Sequence, residues 1–321
     1  MTGTGSAAVD ERALGDRLAE RVAERRSQLV LGIDPDPARL WPRAVQLAED
    51  GPARPDGPAG RAGRAVAAHC RLLVEAAGDH CVAVKPQVAC FERLGAPGWA
   101  ALAEVVADAR ERGLFVIADA KRGDVDISAR AYGQAFFGST PTPFGDVAGL
   151  GVDLLTANPL LGRDSLAALL QEGRAAGGGL LVLVRTSNPG AADLQDRALR
   201  DGGGTVSDAI AALVDDLGRP AVGASGLSDV GAVTGATAPE HLERLRAAMP
   251  HTVMLLPGVG AQGASGEGLD PAFAPGPAGG LISASRAIVY ASERGGGAGG
   301  PAASAAAEAA RLRELVWGLY A

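Results

Sequence analysis

Six residues, Asp119-Ala120-Lys121-Arg122-Gly123-Asp124, carry alternating charge directly after the apolar run Leu114-Phe115-Val116-Ile117-Ala118. In a strand, residues two apart share a face, so Asp119 and Lys121 project to one side. Facing a barrel interior, they place a carboxylate and an ammonium where water is scarce. Such burial costs several kcal/mol per ion unless the charges are paired and further hydrogen-bonded. Groups held in this way are suited to stabilising developing charge and to moving protons. Asp124 falls beyond the strand, in the loop that follows. The same residues also suit an exposed strand end with a solvated ion pair, so the elements around them decide.

Those elements alternate. Near-continuous apolar runs of strand character cover 28–35, 81–86, 114–121, 154–158, 180–186, 221–225, 253–257 and 281–285. Uninterrupted runs of this kind suit parallel strands covered on both faces. Between them lie helical stretches at 10–26, 64–77, 98–112, 165–174, 205–217 and 239–248; in the first, Leu14, Leu18 and Val22 recur at four-residue spacing. Eight such strands alternating with helices, with no dinucleotide-binding half-domain, predict an α/β protein folded as a (β/α)8 TIM barrel. The expected organisation is an N-terminal segment and helix over 1–27, the barrel over 28–291, and a Gly/Ala-rich stretch with a closing helix over 292–321. Residues 51–63 are expected to form a flexible Gly/Pro-rich insertion, and 295–310 to be loose at first.

Composition removes several function classes. With 321 residues and 47% hydrophobic content the chain can bury a large core, yet no apolar run approaches the roughly 20 residues of a membrane span. A net charge of −7 argues against an extended nucleic-acid surface. Residues 1–8 lack a basic segment followed by an apolar one. The three cysteines, Cys70, Cys81 and Cys90, leave an odd thiol and form no Cys-x-x-Cys pair, which suits a reducing compartment. A cytoplasmic location is expected. His69-Cys70 lies mid-helix and His80-Cys81 at a helix-to-strand junction, so both pairs are read as packing residues rather than metal ligands, and no metal is expected.

In (β/α)8 barrels the reacting groups sit at the C-terminal ends of the strands. Here those ends carry Asp34, Lys85, Asp119 with Lys121, Asn158, Thr186 with Ser187, Gly258 with Gly260, and Arg286. The set is polar, ionisable and convergent. Pro257-Gly258-Val259-Gly260-Ala261-Gln262-Gly263 formally matches Gly-x-Gly-x-x-Gly, but neither a helix start nor a later acidic strand end accompanies it. Phosphate binding by backbone N–H groups after the seventh and eighth strands fits better, with Arg286 as a bidentate donor.

The chain resembles orotidine 5′-phosphate decarboxylase, specifically its longer bacterial subgroup. The resemblance rests on Gly-Ile-Asp-Pro, Lys-Pro-Gln, Asp-Ala-Lys-Arg-Gly-Asp, Thr-Ser-Asn-Pro-Gly and Pro-Gly-Val-Gly-Ala-Gln-Gly, in this order, and spans about residues 28–291. It implies decarboxylation of orotidine 5′-monophosphate to uridine 5′-monophosphate, the last step of de novo pyrimidine synthesis, without a cofactor. Asp34 would bind a ribose hydroxyl. Lys85, Asp119, Lys121 and Asp124 would form a charge network in which the last carboxylate comes from a partner subunit, which implies a homodimer with shared sites. Ser187 would contact the pyrimidine, and Gln262 and Arg286 the phosphate. Ser128, Asn158, Thr186, Gly258, Gly260 and Gly263 complete the expected substrate-binding set.

Two departures stand out. Val125-Asp126-Ile127-Ser128 replaces the family's common Ile-Gly-Ser-Thr, and Leu160 stands where tyrosine is frequent. The rival enzymatic reading is a magnesium-dependent lyase or synthase acting on ketose phosphates, since related barrels carry Asp-x-Lys-x-x-Asp. A non-catalytic phosphate-binding barrel is the third reading.

Overall fold

Leu, Val, Ile and Ala fill the strands because each strand is covered on both faces. The computed structural model describes residues 12–50, 57–200, 202–235, 239–257, 268–295 and 299–319. Eight parallel strands form the barrel: β1 (Leu29–Ile33), β2 (Ala83–Pro86), β3 (Phe115–Arg122), β4 (Leu154–Ala157), β5 (Gly179–Arg185), β6 (Val230–Thr234), β7 (Met254–Pro257) and β8 (Gly280–Ala284). They close in the order β1-β8-β7-β6-β5-β4-β3-β2, the TIM-barrel topology that the alternating pattern predicts. Every residue of β1, β2, β4, β6 and β8 is buried.

The period-2 alternation of the strands divides the core in two. Leu29, Leu31 and Ile33 face outward and pack with Val66, Cys70 and Leu73 of the helix Gly57–Ala77. Val30, Ile117, Leu154, Leu181, Leu255 and Leu281 face inward, and Leu14, Leu18 and Val22 of the helix Leu14–Arg25 join them. That helix plugs the N-terminal end: a Cβ added to Gly179, the first residue of β5, would lie 2.8 Å from Leu14 Cδ2. The opposite, C-terminal end is left to the loops.

Three expectations are corrected. The apolar segment 221–225 is not a strand: Arg219–Ala221 is a 3-10 turn, and β6 lies further on at Val230–Thr234. The backbone N–H groups of Ala224 and Ser225 donate to the Asp16 carboxylate at 3.0 and 2.7 Å, so they are spent on a side chain instead of a ladder. Within the expected insertion, 51–56 lie outside the described residues, but from Gly57 the chain is already helical. Gly63 is there for close approach, since a Cβ would lie 2.8 Å from Pro97 O of the neighbouring helix Ala96–Glu111. The stretch expected to be loose, 295–310, belongs from Gly300 to the helix Gly300–Gly318, where alanine supplies strong helix propensity and Ala305 and Ala309 are fully buried.

An unanticipated two-strand hairpin pairs Ser139–Thr140 with Val147–Ala148. Among the described residues no helix is long and apolar enough to cross a membrane.

Candidate active site

The end of β3 is not a plain strand. Ala118 pairs with Leu155 and Arg122 with Ala157, so residues 119–121 of β3 stand opposite the single residue Thr156 of β4. Lys121 takes φ 50°, in the left-handed region that an L-residue enters only at a cost. The bulge still brings the two charges together, as the i, i+2 spacing predicts: Lys121 Nζ lies 2.5 Å from Asp119 Oδ1. Lys85, near the end of β2, places Nζ 2.6 Å from the other oxygen, Oδ2.

Asp119 is 7% exposed and Lys85 8%, so this is a desolvated cluster rather than a surface ion pair. Two neutral donors complete it. Gln87 Nε2 donates to Oδ2 at 3.2 Å, and Thr156 Oγ1 donates to Oδ1 at 3.1 Å. Burial pushes the Asp119 pKa up, but the Lys85 and Lys121 ammonium groups and their hydrogen bonds outweigh it, and the carboxyl ends below the ordinary carboxylate range. It is a carboxylate at neutral pH.

Of the other expected residues, Asp34, Asn158, Thr186, Ser187 and Arg286 follow the C-terminal ends of their strands. Asp34 stands exposed just past β1. Asn158 follows β4; its Oδ1 accepts from Leu160 N–H at 3.1 Å, and its own N–H donates to Arg122 O at 2.8 Å. Thr186 and Ser187 follow β5 on a braced loop. Arg185 grips Asp196 through Nε at 3.1 Å and Nη2 at 2.8 Å, while Thr186 N–H donates to Gln195 Oε1 at 2.8 Å. A Cβ on Gly235, past β6, would lie 2.9 Å from Ser187 Cα, so glycine permits that close approach. Arg286, exposed, opens the short helix Arg286–Val289 after β8. Ser128 is exposed in the first turn of the helix Asp126–Phe136. Gly258, Gly260, Gln262 and Gly263 lie outside the described residues.

Asp124 forms no ion pair with Lys85 or Lys121 of its own chain; its Oδ1 accepts from Val125 N–H at 2.8 Å. Asp126, where the family commonly has glycine, takes φ 46°, a conformation that Asp tolerates better than most side chains. Arg122 of the same motif points elsewhere, pairing with Glu92 and stacking over Tyr132 and Phe136 at 5.2 and 5.7 Å. It ties β3 to its flanking helices.

His69, Cys70 and Cys81 are buried, as packing residues are, while His80 is half-buried. His69 Nδ1 accepts from Trp41 N–H at 3.1 Å, and burial lowers its pKa to about 4. Burial pushes the Cys70 thiol up, and Cys81 up to about 12.

The chain matches the family described as orotidine 5′-phosphate decarboxylase / HUMPS over residues 27–298. It belongs to that family. Over 225 residues it is 42% identical to the orotidine 5′-phosphate decarboxylase of Rhodopirellula baltica, covering 70% of this chain and 73% of that one. Over 280 residues it is 39% identical to the Deinococcus radiodurans enzyme of the same name, covering 85% and 88%. The structure of Leishmania donovani OMP decarboxylase superposes with a TM-score of 0.70 at 30% identity, covering 96% of this chain and 98% of that one.

Two residues at the centre of this family member's site escape the sequence reading. Gln87 is visible only as the third letter of Lys-Pro-Gln. Thr156 carries a usable signal: it is the one polar side chain within β4, two positions before Asn158.

Proposed function

We propose that this protein decarboxylates orotidine 5′-monophosphate to uridine 5′-monophosphate and CO2, with no cofactor or metal, as a cytoplasmic homodimer with shared sites. The observation that carries the reading is one buried carboxylate, Asp119, clamped between two lysines at the C-terminal mouth of a barrel that belongs to this family. The barrel unit is taken as 28–291, with 1–27 and 292–321 as flanking segments.

The chemistry follows from what the substrate lacks. When the bond between C6 and the carboxylate breaks, CO2 leaves and the electron pair stays on a vinylic carbon with nothing to delocalise it. The Lys121 ammonium beside that carbon stabilises the anion electrostatically, then gives it a proton and is recharged from solvent. Asp119 holds the ammonium in place. Asp34 takes a ribose hydroxyl, Ser187 the pyrimidine, and Arg286 the phosphate together with the loop bearing Gln262, with Thr186, Asn158 and Ser128 around them. Remote phosphate binding of this kind is converted into catalysis when it orders the site and excludes water.

Shared sites are supported by the environment of Asp124. Val125 (44% exposed), Ile127 (86%), Leu160 (64%) and Leu161 (51%) flank the β3 and β4 loops, an apolar surface suited to a second copy. Asp124, unpaired with the lysines of its own chain, is the carboxylate to be contributed across it.

The test is product formation from orotidine 5′-monophosphate by purified protein in excess EDTA. Uridine 5′-monophosphate in stoichiometric yield supports the reading. Activity only after magnesium is restored would favour the sugar-phosphate class, and none under either condition would leave a binding barrel.

A further inference from the structure

We propose that Thr156 is a positioning residue for the reaction, its single hydroxyl locking the Asp119 carboxylate and the Lys121 backbone into one arrangement, with Gln87 bracing the opposite carboxylate oxygen. The inference rests on the decarboxylase reading above.

The hydrogen-bond directions at Thr156 are forced. Lys121 N–H can only donate, so Thr156 Oγ1 accepts from it, at 2.9 Å. An ionised carboxylate can only accept, so the hydroxyl hydrogen goes to Asp119 Oδ1, at 3.1 Å. Thr156 is 1% exposed, which leaves its hydroxyl no competing solvent.

The bulge explains why a side chain is needed there. Residues 119–121 stand opposite Thr156 alone, so the ladder from β4 has no backbone carbonyl in register for Lys121 N–H. The Thr156 hydroxyl takes that place and holds Lys121 at its left-handed φ of 50°. From that backbone the ammonium turns back to Asp119 Oδ1, so one hydroxyl fixes both the root and the target of the lysine.

Each carboxylate oxygen thus receives one charged and one neutral donor. Oδ1 has Lys121 and Thr156; Oδ2 has Lys85 and Gln87. Gln87 is held for this by a parallel bridge to Asp119 itself. Four donors from β2, β3, β4 and the residue just past β2 leave the carboxylate no freedom to rotate. A reacting ammonium has to sit within a fraction of an ångström of its carbon, and a displacement of about 1 Å can cost roughly a hundredfold in rate.

The experiment compares Thr156→Val, which keeps the shape and removes the hydroxyl, with Thr156→Ser, which keeps the hydroxyl and removes a methyl. Both are assayed on orotidine 5′-monophosphate beside the wild-type protein, with melting temperatures. The proposal expects kcat of the Val variant to fall about 10- to 100-fold with KM within about threefold, and the Ser variant to stay within about threefold of wild type in both. If Thr156→Val does not fold, Thr156→Ala against Thr156→Ser makes the same comparison. An active wild type with a Val variant of unchanged kcat, or a Ser variant as impaired as the hydroxyl-free one, overturns the positioning role. An inactive wild type overturns the decarboxylase reading instead.

Discussion

Lys85 and Lys121 hold opposite oxygens of one carboxylate, at 2.6 Å from Asp119 Oδ2 and 2.5 Å from Oδ1, yet their side chains are 9% and 47% exposed. The asymmetry divides their labour. The buried lysine keeps Asp119 ionised and fixed, while the open one presents its ammonium to the mouth of the barrel, where a substrate can meet it. A proton donor has to be reachable as well as oriented.

Arg286 is exposed just past β8, where the proposed mechanism puts the phosphate, and the proposal assigns it to binding. Charge-assisted hydrogen bonds of this kind contribute about 1.5–3 kcal/mol. Arg286→Ala is expected to raise KM about 10- to 100-fold with a much smaller change in kcat. An unchanged KM in steady-state kinetics contradicts the phosphate role.

Arg246 governs stability on the opposite side of the molecule. Its buried guanidinium donates to five carbonyls: Pro271 at 3.0 Å, Met249 at 2.9 Å, Thr252 at 2.7 Å, Ala272 at 2.7 Å and Gly279 at 3.0 Å. It thereby pins the connection leading into β8. Arg246→Leu strands those acceptors and is expected to cost at least about 3 kcal/mol, lowering the melting temperature by about 6–12 °C. Arg246→Lys, with fewer donors in a different geometry, recovers only part of it. Wild-type melting of the Leu variant by circular dichroism refutes the claim.

How much of the fold and site is legible in the sequence depends on the kind of signal. Seven of the eight strands announce themselves as apolar runs. The exception, 221–225, is apolar too, but its fate depends on Asp16, about 200 residues away in sequence, capturing two of its N–H groups. No local pattern carries that information. The charged site at Asp119 and Lys121 followed from spacing, whereas Thr156 and Gln87 matter through a bulge that periodicity does not reveal. The left-handed φ of Asp126 is a backbone feature of the same kind, which residue type alone does not announce.

His69 should shape the acid limb of stability. Its pKa falls from 6.5 to about 4 on burial, and its Nδ1 has to stay unprotonated to accept from Trp41 N–H. Between those values the unfolded chain binds more protons than the fold, so stability rises with pH there. The contribution is complete above about pH 6.5 and is lost as pH falls toward 4, up to about 3 kcal/mol at about 1.4 kcal/mol per unit. Asp119, with its depressed pKa, adds a loss in the same direction at lower pH, below the ordinary carboxylate range. Urea midpoints measured from pH 7 to 4.5 should fall less steeply in His69→Gln than in wild type; parallel curves would show that the ring is not the sensor.

The most direct test of the account is kcat of Lys121→Ala on orotidine 5′-monophosphate beside the wild-type protein. If Lys121 both stabilises the carbanion and protonates it, as proposed, its removal is expected to lower turnover at least about 10⁴-fold, with the fold intact by circular dichroism. A folded variant that turns over within about tenfold of wild type, a difference of only about 1.4 kcal/mol, contradicts the assignment of the chemistry to Lys121.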